Sequence, residues 1–123
     1  MEHRFADIHW ARSQTVPLLR TALDGRVLLL GDAAHAMVPT LGQGATQAIE
    51  DALIAAHILA RDTTPAAIAA IRDPRVAFVR DFSERASDTL HPGADPVAGT
   101  RAKTAPAFLA DLGRLWTDVT PPG

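Results

Sequence analysis

The sequence predicts a fragment of an α/β fold that is mostly helical, with one buried strand, a glycine-rich loop and long helices. Residues 26–30 (RVLLL) are apolar on both faces, which is typical of a buried strand in a parallel sheet. Residues 31–44 (GDAAHAMVPTLGQG) are rich in Gly, Pro and small side chains and predict a loop. Residues 45–60 lack both Gly and Pro and predict a helix, buried on most sides because its polar positions fall on one narrow arc: Gln47, Glu50, Asp51 and His57.

The flanking segments predict further elements. Residues 4–10 have the composition of a short strand, and Pro17 is well placed in the first turn of a short helix that ends before a turn at Asp24-Gly25. A second long helix is predicted from Pro65 to about residue 90, broken or kinked at Pro74. Residues 91–104 predict a loop, and a last helix is expected over 106–116. The apolar strand needs a cover, provided by residues 4–10, by the long helices or by self-association.

Composition limits the classes of partner. The 123 residues are 47% apolar and 21% charged, with a mean hydropathy of +0.05, which is typical of one globular domain at most. The net charge of −2 and the lack of a long basic run argue against nucleic acid and anionic membranes as partners. No apolar stretch is long enough to span a bilayer. The absence of cysteine fits a cytoplasmic protein, and the five histidines show no metal-ligand spacing.

The loop after the apolar strand is the candidate site. A strand–loop–helix unit places its loop at the carboxyl end of the strand, where open α/β folds bind ligands. Asp32 can accept hydrogen bonds from ligand hydroxyls there, and the alternative is that it caps a turn at the end of the strand. The helix start near Ala45 aims free N–H groups and a positive dipole end at the loop. A flavin fits this pattern, with ribityl hydroxyls near Asp32 and the pyrimidine edge at the helix start.

The segment GDAAHAMVPTLGQGATQAIEDALIAAHIL resembles the second flavin-binding motif of the class A FAD-dependent aromatic-ring monooxygenases, the para-hydroxybenzoate and salicylate hydroxylase type. The matching positions are Gly31, Asp32, His35, Pro39, Gly42, Gly44 and Asp51. The resemblance implies that residues 1–123 are a single partial domain, the C-terminal part of an FAD-binding Rossmann-like domain. Within it, residues 26–60 would contact the flavin and residues 65–116 would form C-terminal helices.

The resemblance also implies site residues and cofactors. Asp32 would bind the ribityl chain of FAD, Pro39 would lie near the isoalloxazine, and residues 42–46 would offer N–H groups to the pyrimidine edge. Thr46 departs from the asparagine that many members carry. NAD(P)H would be the co-substrate and a small aromatic molecule the substrate, with no catalytic side chain and no metal ligand. The full cofactor-binding set is Gly31, Asp32, Ala33, Pro39, Gly42, Gln43, Gly44, Ala45 and Thr46.

One departure from the family is an absence within these residues. Neither the GxGxxG unit for the ADP half of FAD nor the DG motif of the family occurs among them. The expected function is therefore the C-terminal FAD-binding segment of an NAD(P)H-dependent monooxygenase, inactive alone and completed by a complementary N-terminal chain or by self-association. The alternative is a non-catalytic relic or a helical module that binds a partner.

Other polar residues predict structural roles. His35 is expected to pack or to hydrogen-bond within the loop, because flavin hydroxylation needs no protein nucleophile. Glu50 and Asp51 are expected to complement the helix dipole, since adjacent helix positions diverge and acids are favoured early in a helix. A solvated helix face is expected to hold Arg75, Arg80 and Arg85.

Overall fold

The computed structural model describes residues 12–22, 24–61, 64–87 and 92–118, and the strand predicted at 4–10 lies outside these ranges. Helices dominate the described residues. None of these helices, over the ranges described, is long and apolar enough to cross a membrane. The elements in chain order are β1 (Thr21–Ala22), β2 (Val27–Leu28), α1 (Asp32–His35), a 3₁₀ helix (Pro39–Leu41), α2 (Gly44–Leu59), α3 (Pro65–Ala86), α4 (Pro96–Lys103) and α5 (Pro106–Thr117).

The two strands form an antiparallel hairpin, with Thr21 opposite Leu28. The predicted turn is confirmed: Asp24 and Gly25 have φ angles of 56° and 81°, the left-handed values that tight hairpins require. The prediction of a short helix that starts near Pro17 is wrong. The N–H groups of Val16 and Leu19 donate to the carbonyls of residues 36 and 34 and so hold this segment in a non-helical path.

The apolar run at 26–30 is shorter as a strand and less buried than predicted. Its neighbour among the described residues is the antiparallel strand β1, and those residues contain no parallel partner. Val27 is exposed, whereas Leu28 and Leu30 are half-buried against Ile54 and Ile68 of the long helices. Helices α2 and α3 therefore supply one of the three expected covers. The pairing expected with residues 4–10 lies outside the described residues.

Helix α2 begins one residue before the predicted start at Ala45 and ends at Leu59, so that prediction is confirmed. Helix α3 starts with Pro65 in its first turn, as predicted, but continues through Pro74 to Ala86. Of the predicted break or kink at Pro74, the break is wrong, and residues around Pro74 are held from outside the helix. Arg72 and Arg75 bond to carboxylates of α2, and Asp73 bonds to Arg20.

A second apolar cluster joins α3 to α5. Val79 and Phe82 of α3 and Leu115 of α5 are buried together. The Phe82 ring lies 4.8 Å from the ring of Phe108 and 5.9 Å from that of Phe78, between centroids. The last helix predicted over 106–116 is confirmed.

Helix α4 replaces most of the loop predicted at 91–104. Its N-cap is Asp95, whose carboxylate accepts from the N–H groups of Val97 (2.8 Å) and Ala98 (3.2 Å). Pro96 occupies the first helical position, where its missing N–H costs nothing. The loop prediction is wrong over residues 96–103, because Asp95-Pro96 is a helix-start signal.

Candidate functional site

The tight turn at Gly31 presents Asp32 to solvent. Gly31 has φ +55°, a value that favours glycine, and a Cβ added there would stand 3.0 Å from the Cβ of Ala48 on α2. The turn is closed by the N–H groups of Ala34 and His35, each of which donates to the Gly31 carbonyl at 2.9 Å. Glycine at 31 thus lets the turn rest directly on α2, with the Asp32 side chain exposed beyond it.

The loop that follows returns the chain to the start of α2. A short 3₁₀ helix begins at Pro39, and Gly42 ends it in the left-handed conformation, with φ 64°. Helix α2 then starts at Gly44, and no side chain caps its first N–H groups. Ala45 and Thr46 near this start are exposed, whereas Gly44 is half-buried and Gln43 is buried. The loop therefore leaves open a helix N-terminus with free donors and small side chains.

Asp32 and the start of α2 lie side by side. A Cβ built at Gly44 would be 3.8 Å from the Oδ1 atom of Asp32. The carboxylate of an exposed residue thus lies next to the first turn of α2, where backbone N–H groups lack partners within the helix, and no side chain projects from Gly44 between them. Such a surface can accept bonds from hydroxyl groups at one point and donate bonds to a polar, electron-rich edge at another.

Behind this surface lies a buried ionic cluster centred on Asp51 of α2, whose side chain is 0% exposed. The Oδ2 atom of Asp51 accepts from Arg20 Nη1 (2.5 Å), from His35 Nε2 (2.8 Å) and from the Gly31 N–H (3.1 Å). Its Oδ1 atom accepts from Arg72 Nε at 2.9 Å. Because an ionised carboxylate only accepts, His35 Nε2 carries the proton of that bond.

Glu50 extends the cluster towards α5. Its carboxylate accepts from Arg72 Nη1 at 2.6 Å and from Arg75 Nε at 2.7 Å. Arg72 also donates to the Gln47 side chain at 2.7 Å, and Arg75 donates to the Leu115 carbonyl at 2.9 Å. The cluster ties α2, α3 and α5 together by charge-assisted bonds.

Both carboxylates are held in the ionised form. Burial raises the pKa of Asp51, but the bonds from His35, Arg20, Arg72 and the Gly31 N–H together outweigh it, so the pKa lies well below its ordinary value of 3.8. Burial likewise raises the pKa of Glu50, and the bonds and charges of Arg75 and Arg72 bring it below its ordinary value.

The opposite face of α2 is apolar and exposed. Ile49 is 62% exposed and Leu53 is 64% exposed, and the alanines beside them on this face, Ala45, Ala52 and Ala56, are exposed as well. The helix is therefore oriented opposite to the prediction, with its polar arc inside and much of its apolar side outside. The reason is that the arginines of the neighbouring segments neutralise the acids of that arc.

A family model described as an FAD binding domain matches residues 6–85, which is well over half of the chain. The chain belongs to this family. FAD is the cofactor of the family, so the predicted cofactor is confirmed at the level of the family. The match contains the surface formed by Asp32 and the start of α2, which we call the Asp32 surface. It also contains the buried cluster, whereas α4 and α5 lie outside it.

Several curated relatives of this FAD binding domain are named as monooxygenases or hydroxylases. The chain is 46% identical over 77 residues to aurachin C monooxygenase/isomerase of Stigmatella aurantiaca, covering 62% of the chain and 19% of the relative. It is 44% identical over 75 residues to 3-hydroxybenzoate 6-hydroxylase 1 of Aquipseudomonas alcaligenes, covering 56% of the chain and 18% of the relative. Each of these matches thus spans less than a fifth of the relative. No solved structure matches the chain.

A flavin carries hydroxyl donors on its ribityl chain and acceptors on its pyrimidine edge, and the Asp32 carboxylate and the start of α2 offer the complementary groups. The predicted cofactor-binding residues divide by exposure, with Gly31 and Gln43 buried and Gly44 half-buried. Gly31 has its N–H engaged by Asp51, so it cannot donate to a ligand. No group of His, Asp or Glu side chains in the described part of the chain could hold a metal ion. The exposed members of the set are Asp32, Ala33, Pro39, Gly42, Ala45 and Thr46.

The buried cluster corrects two predictions and confirms one. Glu50 and Asp51 do not serve mainly to complement the helix dipole, because they are buried and paired with arginines. Arg75 is not solvated, since its side chain is 8% exposed against Glu50. His35 has a hydrogen-bonding role, as predicted, but its side chain bonds to Asp51 of α2 and not to a residue of the loop.

Sequence reasoning missed Arg20 and Arg72 altogether. A signal for Arg72 was present: Arg72 and Arg75 are three residues apart and so share a face of their helix, as do Gln47 and Glu50 of α2. Two such faces on consecutive helices are candidates for pairing. Arg20 lies in a segment without regular structure, so no periodicity could have indicated it.

Proposed function

We propose that residues 26–60 form the flavin-ring side of an FAD site and that the chain is the C-terminal FAD-binding segment of an NAD(P)H-dependent monooxygenase. The substrate class is an aromatic or similar small ring. The observation that supports this most strongly is the exposed Asp32 carboxylate beside the uncapped, glycine-lined start of α2. When bound, FAD would supply the oxygen chemistry after reduction by NAD(P)H.

The residues have distinct roles in this proposal. Asp32 accepts hydrogen bonds from the ribityl hydroxyls, and the N–H groups of residues 44–46 donate to the pyrimidine edge. The positive end of the α2 dipole favours negative charge on that edge by about 1 kcal/mol. Pro39 and Ala33 give the isoalloxazine a flat, small-residue surface. Gly31 and Gln43 act from behind this surface, Gly31 by letting the turn rest on α2.

The exposed apolar face of α2 supports a second part of the proposal. Ile49 and Leu53 leave an unpartnered stripe next to the site, and the relatives are more than five times as long as the matched segment. We assign this stripe to a complementary N-terminal half of the FAD domain, with self-association as the competing occupant. The 123 residues alone are expected to be inactive and to bind FAD only weakly, with a dissociation constant on the order of millimolar.

An FAD titration followed by amide NMR shifts tests the site. We expect the largest shifts at residues 31–46, and we expect Asp32→Ala to abolish them. Asp81→Ala is the matched control, since Asp81 is an exposed carboxylate (66%) on α3, and it should leave the shifts unchanged. Shifts centred elsewhere, or equal in the two variants, would contradict the assignment. FAD that stays bound through gel filtration would contradict the weak-binding expectation.

An activity assay tests the expectation that the chain alone is inactive. NAD(P)H oxidation with added FAD and phenolic substrates should stay at the rate of free flavin. Turnover that disappears on Asp32→Ala would show that the chain is an enzyme by itself.

The alternative function is a helical module that binds a partner without chemistry. The exposed stripe at Ile49 and Leu53 favours it as much as it favours a completed FAD site. The two functions differ in what Asp32 does. A partner-binding module loses its partner on Leu53→Glu and is indifferent to Asp32→Ala, whereas a flavin site responds to both.

A further inference from the structure

The turn that carries Asp32 consists of Gly31 and the short helix α1, and one buried oxygen atom of Asp51 holds it at both ends. The Oδ2 atom of Asp51 accepts from the Gly31 N–H at 3.1 Å and from His35 Nε2 at 2.8 Å. Gly31 and His35 are also joined to each other, because the His35 N–H donates to the Gly31 carbonyl at 2.9 Å. Asp32 lies between these two fixed points, so its backbone has little freedom to tilt.

Asp51 is itself fixed. Its side chain is fully buried, and its carboxylate accepts hydrogen bonds from Arg20 Nη1 at 2.5 Å and from Arg72 Nε at 2.9 Å. These arginines come from different parts of the chain, one before the hairpin and one in the middle of α3. Arg20 is held in turn by Asp73, and Arg72 by Glu50. The carboxylate is therefore a rigid anchor, held independently of the turn.

Asp51 also links the turn to the other half of the candidate site. It lies on α2, about two turns of helix beyond Gly44. A helix of this length is stiff, so a turn attached to Asp51 keeps its place relative to the helix start. This explains how the exposed Asp32 Oδ1 stays beside Gly44, where a Cβ would be 3.8 Å away, although no direct bond joins them.

We propose that Asp51, acting through Gly31 and His35, is a positioning residue that sets the Asp32 carboxylate at the right place relative to the α2 donors for a flavin. The proposal rests on the proposed function of the Asp32 surface. A ligand bonded at both points needs them at a fixed separation, within about 0.5 Å. The ionic cluster meets that need from behind, without touching the ligand.

Three variants separate positioning from general stability. His35→Leu removes the Nε2–H donor and keeps an apolar side chain of similar length. His35→Gln keeps a side-chain N–H that can reach Asp51 and serves as the rescue variant. Glu50→Gln is the matched control, because it weakens the same buried cluster on the side of Arg72 and Arg75 and leaves both bonds to the turn.

Two measurements are made on the full chain. Amide hydrogen exchange without ligand reports on the closure of the turn at Ala34 and Ala36. An FAD titration, followed by the NMR shifts of residues 44–46, gives the dissociation constant. We expect His35→Leu to speed exchange of these two amides and to raise the FAD dissociation constant about tenfold, the effect of misplacing one charged bond. His35→Gln should restore most of both.

The outcomes distinguish this proposal from the proposed function. If His35→Leu changes turn exchange and FAD binding no more than Glu50→Gln does, after correction for global stability, the positioning role is wrong and the flavin site stands. If the wild-type chain shows no FAD-dependent shift at 44–46, the proposed flavin site is wrong, and the positioning role, which depends on that site, is wrong too. Loss of folding in His35→Leu leaves His35→Gln as the test, with binding near that of the wild type expected and a tenfold loss contradicting the proposal.

Discussion

Replacing Asp51 by asparagine should destabilise the folded chain far more than the same replacement of an aspartate on the protein surface. Asparagine keeps the shape of the side chain but removes its charge, leaving Arg20 and Arg72 partly unpaired. Breaking a buried ion pair from one side costs about 3–5 kcal/mol. We expect the lower end, about 3 kcal/mol, because Arg20 keeps Asp73 and Arg72 keeps Glu50.

Urea denaturation followed by far-ultraviolet circular dichroism measures this loss as a fall in the midpoint. The control is Asp111→Asn, which breaks the pair with the exposed Arg85 on the surface and should cost about 0–1 kcal/mol. If the two variants lose the same free energy of unfolding, the cluster around Asp51 is not buried and ionised as described.

The acid side of the stability profile gives an independent test of the same residue. The pKa of Asp51 is lower in the folded chain than its ordinary value of 3.8. The unfolded chain therefore binds more protons below that value, so the stability due to Asp51 is complete above it and is lost as the pH falls further. Asp51→Asn should flatten the acid limb of the profile, whereas an unchanged limb would contradict the lowered pKa.

Two further predictions use neighbouring or matched positions. Ile54→Ala should cost about 2–5 kcal/mol because Ile54 is buried, whereas Leu53→Glu should change stability by about 0.5 kcal/mol or less and weaken any complex that covers α2. Urea denaturation and analytical ultracentrifugation measure these effects, and equal destabilisation would contradict the orientation of α2. Gly31→Ala should lower the melting temperature more than Gly25→Ala: both have positive φ, but only Gly31 has an atom as close as 3.0 Å to the added methyl group. The reverse order would show that the turn does not rest on α2.

Local signals predicted α2, α3, α5 and the hairpin turn. Helix α2 follows a run without Gly or Pro, α3 and α5 begin with Pro in the first turn, and Asp24-Gly25 adopts the left-handed angles of a tight turn. Each of these signals acts within a few residues along the chain. They do not depend on what packs where, which is why they could be read from the sequence.

The orientation of α2 could not be predicted in the same way. The narrow polar arc that contains Glu50 and Asp51 predicts a solvated face of the helix. Carboxylates are rarely buried unless they are paired, which supports that prediction. Only the positions of Arg20, Arg72 and Arg75 in three dimensions make the buried alternative favourable. The orientation of α2 is therefore decided by ion pairs between residues that are far apart in the sequence, and such pairs leave no periodic pattern in the sequence.

The candidate site was predicted as a set of residues but not as a geometry. The resemblance indicated Asp32 and the glycines of the loop, and the exposure of Asp32 beside Gly44 agrees with a surface open to a ligand. The support behind that surface was missed, because the motif residues His35 and Asp51 were interpreted separately. Their shared oxygen contact appears only when the turn is folded onto α2.

A crystal structure of the protein with FAD would show directly whether the flavin binds at Asp32. We expect a ribityl hydroxyl at about 2.7 Å from the Asp32 carboxylate and the pyrimidine edge facing the N–H groups of residues 44–46 at about 2.9 Å. The bonds from Gly31 and His35 to Asp51 should be retained. FAD bound elsewhere on the chain, or bound here with Asp32 turned to solvent, would contradict the proposed site.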